Sequence, residues 1–135
     1  MRDIFLGELV GTFLLILLGN GVVANVSLNK SGMQGAGPIQ ITIAWGLAVL
    51  MPATIFGAMT GAHFNPALTI ALAFKGDLAA TTIPIYIAGQ LLGAFLGQCL
   101  VFILFKDHYD ATADNPLGVR GTFCTAPSIP NTGRN

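Results

Sequence analysis

The chain has 135 residues, of which 53% are hydrophobic and only 9% are charged, with six basic and six acidic side chains. A typical soluble domain carries charges at about 25% of its positions, so a soluble protein is excluded by composition. The zero net charge provides no basic surface for nucleic acid or anionic lipid headgroups, and we expect no nucleic-acid partner. A membrane protein with the lipid bilayer as its surroundings is predicted.

The charged residues leave three long apolar runs between them. The first is broken only by Glu8, the second lies between Lys30 and Lys75, and the third extends from Leu78 to Phe105. A hydrocarbon core of about 30 Å takes about 20 apolar residues per helix. We therefore predict membrane-spanning helices at about 4–26, 39–56 and 82–105, the first being a retained span and not a cleaved signal peptide.

Residues 57–74 follow the second predicted span and do not form a fourth one. The segment starts with glycines and a histidine, and it continues with ten residues of good helix from Asn65 to Phe74. Asn65 is a preferred N-cap and Pro66 a preferred first helical residue. Ten residues give a helix of about 15 Å, half the hydrocarbon thickness. The pattern predicts a re-entrant loop and half-helix, which the bilayer tolerates where it lines a wet cavity.

The last thirty residues, 106–135, are polar and rich in Asp, Pro and Gly, and they are predicted to be loop. The segment from Asn131 to Asn135 ends without a terminal element, and we expect the sequence to be truncated. Cys99 and Cys124 have no spacing typical of a disulfide or metal site. With two cysteines and two histidines in these positions, we expect no cofactor, no metal and no enzyme activity.

Three segments carry a resemblance to a known family. The string Thr-Gly-Ala-His-Phe-Asn-Pro-Ala-Leu-Thr-Ile at residues 60–70 closely resembles the first pore loop of the aquaporin, or major intrinsic protein, family. Residues 7–15 (Gly-Glu-Leu-Val-Gly-Thr-Phe-Leu-Leu) resemble its first helix, and residues 89–94 (Gly-Gln-Leu-Leu-Gly-Ala) its third. The resemblance implies an all-α membrane protein with three transmembrane helices plus one re-entrant half-helix, the first of the family's two inverted repeats. Residues 1–105 correspond to that repeat, and residues 106–135 to an extracellular loop region.

The same resemblance implies roles for individual residues. Glu8, the only carboxylate within a predicted span, is expected to accept hydrogen bonds from the loop backbone, since an ionisable group in the membrane is costly without partners. Gln90 is expected to satisfy loop backbone as well, and His63 to pack the loop more than to gate by pH. The pore-lining and selectivity residues are expected to be Trp45, Val49, Gly61, Ala62, His63 and Asn65, and the residues that support the loop Glu8, Pro66, Ala67 and Gln90.

In the family that these segments resemble, the position matching Trp45 lines the narrowest part of the pore, and members similar to the glycerol facilitator have Trp there. The resemblance therefore implies the glycerol-conducting branch over the water-selective branch. An indole presents a broad apolar wall along which the carbon backbone of a polyol can slide. The string from Gly121 to Pro127 also resembles the long outer loop of glycerol facilitators. The resemblance implies glycerol and water as permeants, a homotetramer when full-length, and a plasma-membrane location with a cytoplasmic N-terminus.

Three other interpretations are compatible with the sequence. The chain contains no second Asn-Pro-Ala, and its arginines outside the N-terminus, Arg120 and Arg134, lie in the polar tail. One repeat does not build the family's pore in a single subunit. The alternatives are a water-selective aquaporin, a non-conducting half-channel that associates with full-length relatives, and a proton- or ion-coupled transporter that uses Glu8 and His63.

Overall fold

The computed structural model describes residues 1–125 together with residues 127, 129 and 133. Four residues named above from the predicted loop tail lie outside the described residues: Ala126, Asn131, Arg134 and Asn135. The described part is helical and contains no strand. Its α-helices are α1 (Arg2–Ser27), α2 (Pro38–Thr60), α3 (Pro66–Lys75), α4 (Ile83–Leu104, preceded by a 3-10 turn at Ala80–Thr82), α5 (Lys106–Asp110) and α6 (Pro116–Gly121).

Three of the described helices are long and apolar enough to cross a membrane: Arg2–Ser27, Pro38–Thr60 and the continuous unit Ala80–Leu104. The predicted all-α membrane fold with three spans is confirmed, and the protein is a multi-pass membrane protein. The ten-residue α3 measures about 15 Å, which is too short to cross. Its length and its place between α2 and α4 are compatible with the predicted re-entrant half-helix.

Helix α1 lies at the centre of the bundle and packs against both α2 and α4. The contact with α4 depends on glycine at Gly89, Gly93 and Gly97, which are four residues apart and all buried. A β-carbon at Gly97 would lie 2.7 Å from the carbonyl oxygen of Phe13 on α1. The two backbones therefore touch directly, the close approach that small-residue repeats permit in membranes.

Two predicted boundaries are wrong. The second helix continues four residues beyond Phe56 and ends at Thr60. Gly57 does not stop it, whereas Gly61 does, because Gly61 takes a φ of 81°, which glycine adopts without strain. The tail predicted as loop contains α5 and α6. Helix α5 begins directly after Phe105, the residue that ends α4, and α6 begins after Asn115, whose side chain accepts from the N–H of Gly118.

The segment from Phe105 to Thr125, which we call the cap, is packed onto one end of the bundle. Tyr109 of the cap is buried with Ala24, Leu28 and Val101 of the helical end. The turn after α1 is attached as well, since the backbone N–H of Asn29 donates to the Thr112 hydroxyl at 2.9 Å. The cap is therefore part of the fold and shares an apolar core with the ends of α1 and α4.

Large apolar side chains face outward along the spans, as a hydrocarbon environment requires. On α2 the most exposed are Ile39, Ile43 and Leu50, each at least 60% exposed. An apolar groove of about 550 Å³ runs along the same helix, with Leu18 and Ile55 in its lining.

Candidate functional site

The segment between α2 and α3 has an unusual backbone. Gly61 has a φ of 81°, and the two non-glycine residues Ala62 and Phe64 have φ values of 52° and 49°. Such values are uncommon outside glycine and cost free energy unless the surrounding structure enforces them. The enforcing contacts come from α1 and α4, and they determine where each peptide group of this loop points.

Glu8 of α1 is the centre of those contacts and is fully buried. Its Oε1 accepts hydrogen bonds from the Thr60 hydroxyl at 2.7 Å and from the backbone N–H of His63 at 3.0 Å. Its Oε2 accepts from the backbone N–H of Phe64 at 2.7 Å and from Gln90 Nε2 at 2.8 Å. Four donors converge on one carboxylate, so within the described part of the chain hydrogen bonds, and not a cation, compensate this buried group.

The same hydrogen bonds fix the direction of the loop carbonyls. The N–H of Ala62 donates to the Thr60 hydroxyl at 3.0 Å, and those of His63 and Phe64 donate to Glu8. All peptide bonds are trans, so the C=O on the other side of each peptide points the opposite way. The carbonyls of Gly61, Ala62 and His63 therefore point away from Glu8, and within the described residues they accept no hydrogen bond from protein.

Asn65 ends the loop and caps α3. Its backbone is extended, and its Oδ1 accepts from the N–H of Ala67 at 2.8 Å, with Pro66 as the first helical residue. The side-chain NH₂ group of Asn65 stays exposed at the same point. A helix N-terminus also concentrates unpaired N–H groups and the positive end of the helix dipole. The free acceptor carbonyls of the loop and the donor amide of Asn65 are thus adjacent along one short segment of the chain.

A second layer of side chains holds this arrangement from behind. Thr69 of α3, fully buried, accepts from Gln90 Nε2 at 2.9 Å and is 3.0 Å from Nδ1 of His63. The His63 ring stacks on Tyr86 with centroids 4.4 Å apart, and the Tyr86 hydroxyl donates to the carbonyl of Thr60 at 2.7 Å. Gln90 therefore acts through the side chains of Glu8 and Thr69, and not on the loop backbone as predicted.

Sequence reasoning missed Thr60, Thr69 and Tyr86 as parts of the site. Tyr86 lies one turn before Gln90 on α4, and the two share a buried face of that helix. That i, i+4 pairing of two polar side chains within an apolar span was the signal available in the sequence. The partners of Thr60 and Thr69 were not readable, since both are separated from Glu8 or Gln90 by at least 21 residues.

Trp45 lies elsewhere, on the wall of a cavity of about 1130 Å³ between the bundle and the cap. The cavity, which we call the cap cavity, is lined by polar and apolar groups that include Asn20, Arg120 and Phe123. The indole packs flat against Gly19, where a β-carbon would lie 2.7 Å from its ring atoms.

The loop and the Trp45 wall are two separate levels along α1. Phe64 contacts Gly11 and Trp45 contacts Gly19, so the two levels are eight residues, or about 12 Å, apart. Val49 is 46% exposed and lines neither the cap cavity nor the apolar groove, and its role stays a prediction. Among residues 1–125, 127, 129 and 133 no group of three or more potential metal ligands occurs.

Comparisons with known proteins identify relatives of this chain. The family model described as "Major intrinsic protein" matches residues 2–129. The glycerol uptake facilitator protein of Bacillus subtilis is 47% identical over 131 residues, which cover 97% of this chain and 47% of that protein. The probable glycerol uptake facilitator protein of Thermotoga maritima is 47% identical over 98% of this chain and 56% of its own length.

A solved structure agrees with the sequence relatives. The X-ray structure of the aquaglyceroporin from Plasmodium falciparum superposes with a TM-score of 0.78 at 32% identity, covering 87% of this chain and 47% of that one. The chain thus spans about half the length of the proteins it matches. These relatives are named as glycerol uptake facilitators and as an aquaglyceroporin.

Proposed function

The chain belongs to the major intrinsic protein family, and on that premise we propose that it contributes one half of a passive channel for glycerol and other small neutral solutes, with water as a co-permeant. Relatives with 45–47% identity are named glycerol uptake facilitators, which favours the polyol branch over a strict water channel.

One observation carries the proposal: the three carbonyls of Gly61, Ala62 and His63 point away from Glu8 and are free to accept. A row of fixed acceptors replaces the hydration shell of a hydroxylated solute as it passes in single file. The exposed amide of Asn65 supplies a donor to the same solute at the start of α3. The positive end of the α3 dipole repels cations while leaving neutral molecules unaffected.

The arrangement around Glu8 disfavours proton-coupled transport. All four of its partners donate to the carboxylate, and the group is fully buried. A relay would need Glu8 to release these donors in each cycle, at the cost of several unsatisfied buried groups. Its function in this proposal is to hold the loop.

Trp45 is proposed as the apolar wall of a narrower, size-selective level near the cap cavity. The indole is held flat by Gly19, which leaves its other surface for the carbon backbone of a polyol. We also propose a plasma-membrane location with a cytoplasmic N-terminus and a homotetrameric full-length assembly. The inference for these three properties comes from the family alone.

A chimaera tests the function. The first half of the Bacillus subtilis relative is replaced by this chain, and the product is reconstituted into proteoliposomes for stopped-flow light scattering under a glycerol gradient. We expect glycerol flux well above that of empty liposomes and independent of a proton gradient. A chimaera that is folded but impermeable to glycerol would refute the proposal, and the chain reconstituted alone shows whether one repeat suffices.

The Trp45→Phe substitution in the same chimaera separates the two branches. The smaller ring removes part of the apolar wall, so glycerol flux should fall more than water flux. Gly46→Ala is the matched control, because a β-carbon at Gly46 meets no atom within 4 Å. Equal losses of glycerol and water flux would contradict a filter function for Trp45.

A further inference from the structure

Tyr109 forms one of the buried contacts between the cap and the bundle. The residue is 5% exposed, its ring lies 5.2 Å from that of Phe102 on α4, and 6.1 Å from that of Phe123 in the cap. Its hydroxyl is 2.7 Å from the hydroxyl of Thr122, which is fully buried. Tyr109 therefore contacts the segment that leads from α6 into the wall of the cap cavity.

The direction of the Tyr109–Thr122 hydrogen bond follows from counting hydrogens. The Thr122 hydroxyl donates its one hydrogen to the carbonyl of Val119 at 2.8 Å. It has no second hydrogen for Tyr109, so the Tyr109 hydroxyl is the donor and Thr122 the acceptor. Removal of the phenolic O–H leaves the Thr122–Val119 bond intact and deletes the contact with Thr122.

The segment after Thr122 shares the cap cavity with Trp45. Phe123 and Cys124 both line that cavity, and the amide N–H groups of both donate to the carbonyl of Arg120, at 2.9 and 3.0 Å. Displacement of Thr122 by a small distance would move these two residues with it, because the turn is continuous. The width of the cavity beside Trp45 thus depends on where Thr122 is held.

We propose that Tyr109 is a positioning residue for the entrance of the channel: by donating to Thr122 and packing on Phe123, it holds the cap wall beside Trp45. The inference rests on the proposed function only where it treats the cap cavity as an entrance. Its structural content is a coupling between Tyr109 and the environment of Trp45.

Hydrogen exchange of the cap amides measures the opening equilibrium directly. In Tyr109→Phe, one neutral hydrogen bond is lost while the ring contacts stay, so the amides of Thr122, Phe123 and Cys124 should exchange about fivefold faster. Trp45 is the only tryptophan in the chain, and quenching of its fluorescence by acrylamide should increase in the same variant.

Variants at Thr122 provide the controls. Thr122→Val removes the acceptor of Tyr109 and also the hydrogen bond to Val119, so it should accelerate cap exchange at least as much as Tyr109→Phe. Thr122→Ser keeps the hydroxyl and should behave as the unsubstituted chain. The double variant Tyr109→Phe/Thr122→Val should exchange no faster than the more affected single variant, because both changes delete the same bond.

Three results would overturn the proposal: unchanged cap exchange in Tyr109→Phe, faster exchange that extends equally through α1 and α4, or faster cap exchange with unchanged Trp45 quenching. None of these measurements requires solute flux. A chimaera that fails to conduct therefore refutes the proposed function, while the cap measurements decide the role of Tyr109 independently.

Discussion

Substitution of Glu8 by glutamine tests the loop architecture most directly, because it keeps the shape of the side chain and changes its hydrogen-bonding capacity. The carboxylate accepts from four donors, two on each oxygen. A carboxamide has only one acceptor oxygen, which can keep the hydrogen bonds of one of the two pairs of donors. Its NH₂ group then faces the other two donors, and no rotation of the amide avoids this conflict.

The expected loss follows from the bonds removed. A hydrogen bond to a charged group contributes about 1.5–3 kcal/mol, so the loss of two is worth about 3–6 kcal/mol. Gln90 can return part of this, since its Oε1 is buried without a partner within the described residues and can accept from the new amide. A net loss of about 2–5 kcal/mol in the free energy of unfolding is therefore expected.

The free energy of unfolding is measured by denaturant titration in mixed micelles, and glycerol flux is measured in the chimaera. We expect Glu8→Gln to lower both, the second because the carbonyls of residues 61–63 lose their fixed direction. Thr12→Val is the control on the same helix: the Thr12 hydroxyl is buried without a partner within the described residues, so its removal should cause no loss. A Glu8→Gln variant as stable and as permeable as the original would refute the reasoning.

Three further predictions follow from the described contacts. Asn65→Asp keeps the oxygen that caps α3 but removes the amide donor, so glycerol flux should fall while the free energy of unfolding is retained. Asn65→Ala removes the cap as well and should also lower the free energy of unfolding by about 1 kcal/mol. Equal effects of the two variants on stability would contradict the separation of the capping and donor roles. Gly97→Ala should destabilise the bundle by about 1–3 kcal/mol through its clash with Phe13, and Gly57→Ala, which meets no atom within 4 Å, should not. Burial raises the pKa of the Tyr109 phenol above its ordinary value of 10.0. The stabilisation of the cap is therefore fully present below about pH 10 and is lost as the pH rises through the folded-state pKa. Melting curves should show this alkaline loss in the original chain and lack it in Tyr109→Phe.

Much of the fold was predictable because each spanning helix forms its backbone hydrogen bonds internally and is marked in the sequence by a long uncharged run. The half-helix was predictable for a different reason, since Asn65 and Pro66 mark a helix start within the local sequence. The end of α2 was not, because Gly57 and Gly61 are both glycines and only the tertiary contacts of the loop select which one leaves the helix. The short helices of the cap were missed because Asp, Pro and Gly indicate turns and helix starts alike.

The candidate site divides in the same way. Glu8 is the only carboxylate in a predicted span, and Gln90 belongs to a segment that resembles the family, so the sequence alone indicates both residues. Their partners Thr60, Thr69 and Tyr86 are common residue types whose importance comes from where the chain brings them. The prediction for Gln90 was wrong for the same reason: Gln90 bonds to the side chains of Glu8 and Thr69, and not to the loop backbone, because of where the fold places those side chains.

The sequence by itself determined the membrane environment, the three spans, the half-helix and the family, because hydropathy, capping and a distinctive loop motif are properties of neighbouring residues. Only the tertiary structure decided which peptide groups of the loop point toward Glu8 and which remain free, and where Trp45 lies relative to the cap. Those features depend on contacts between residues as many as 82 positions apart, such as Glu8 and Gln90, and no local pattern encodes such a distance.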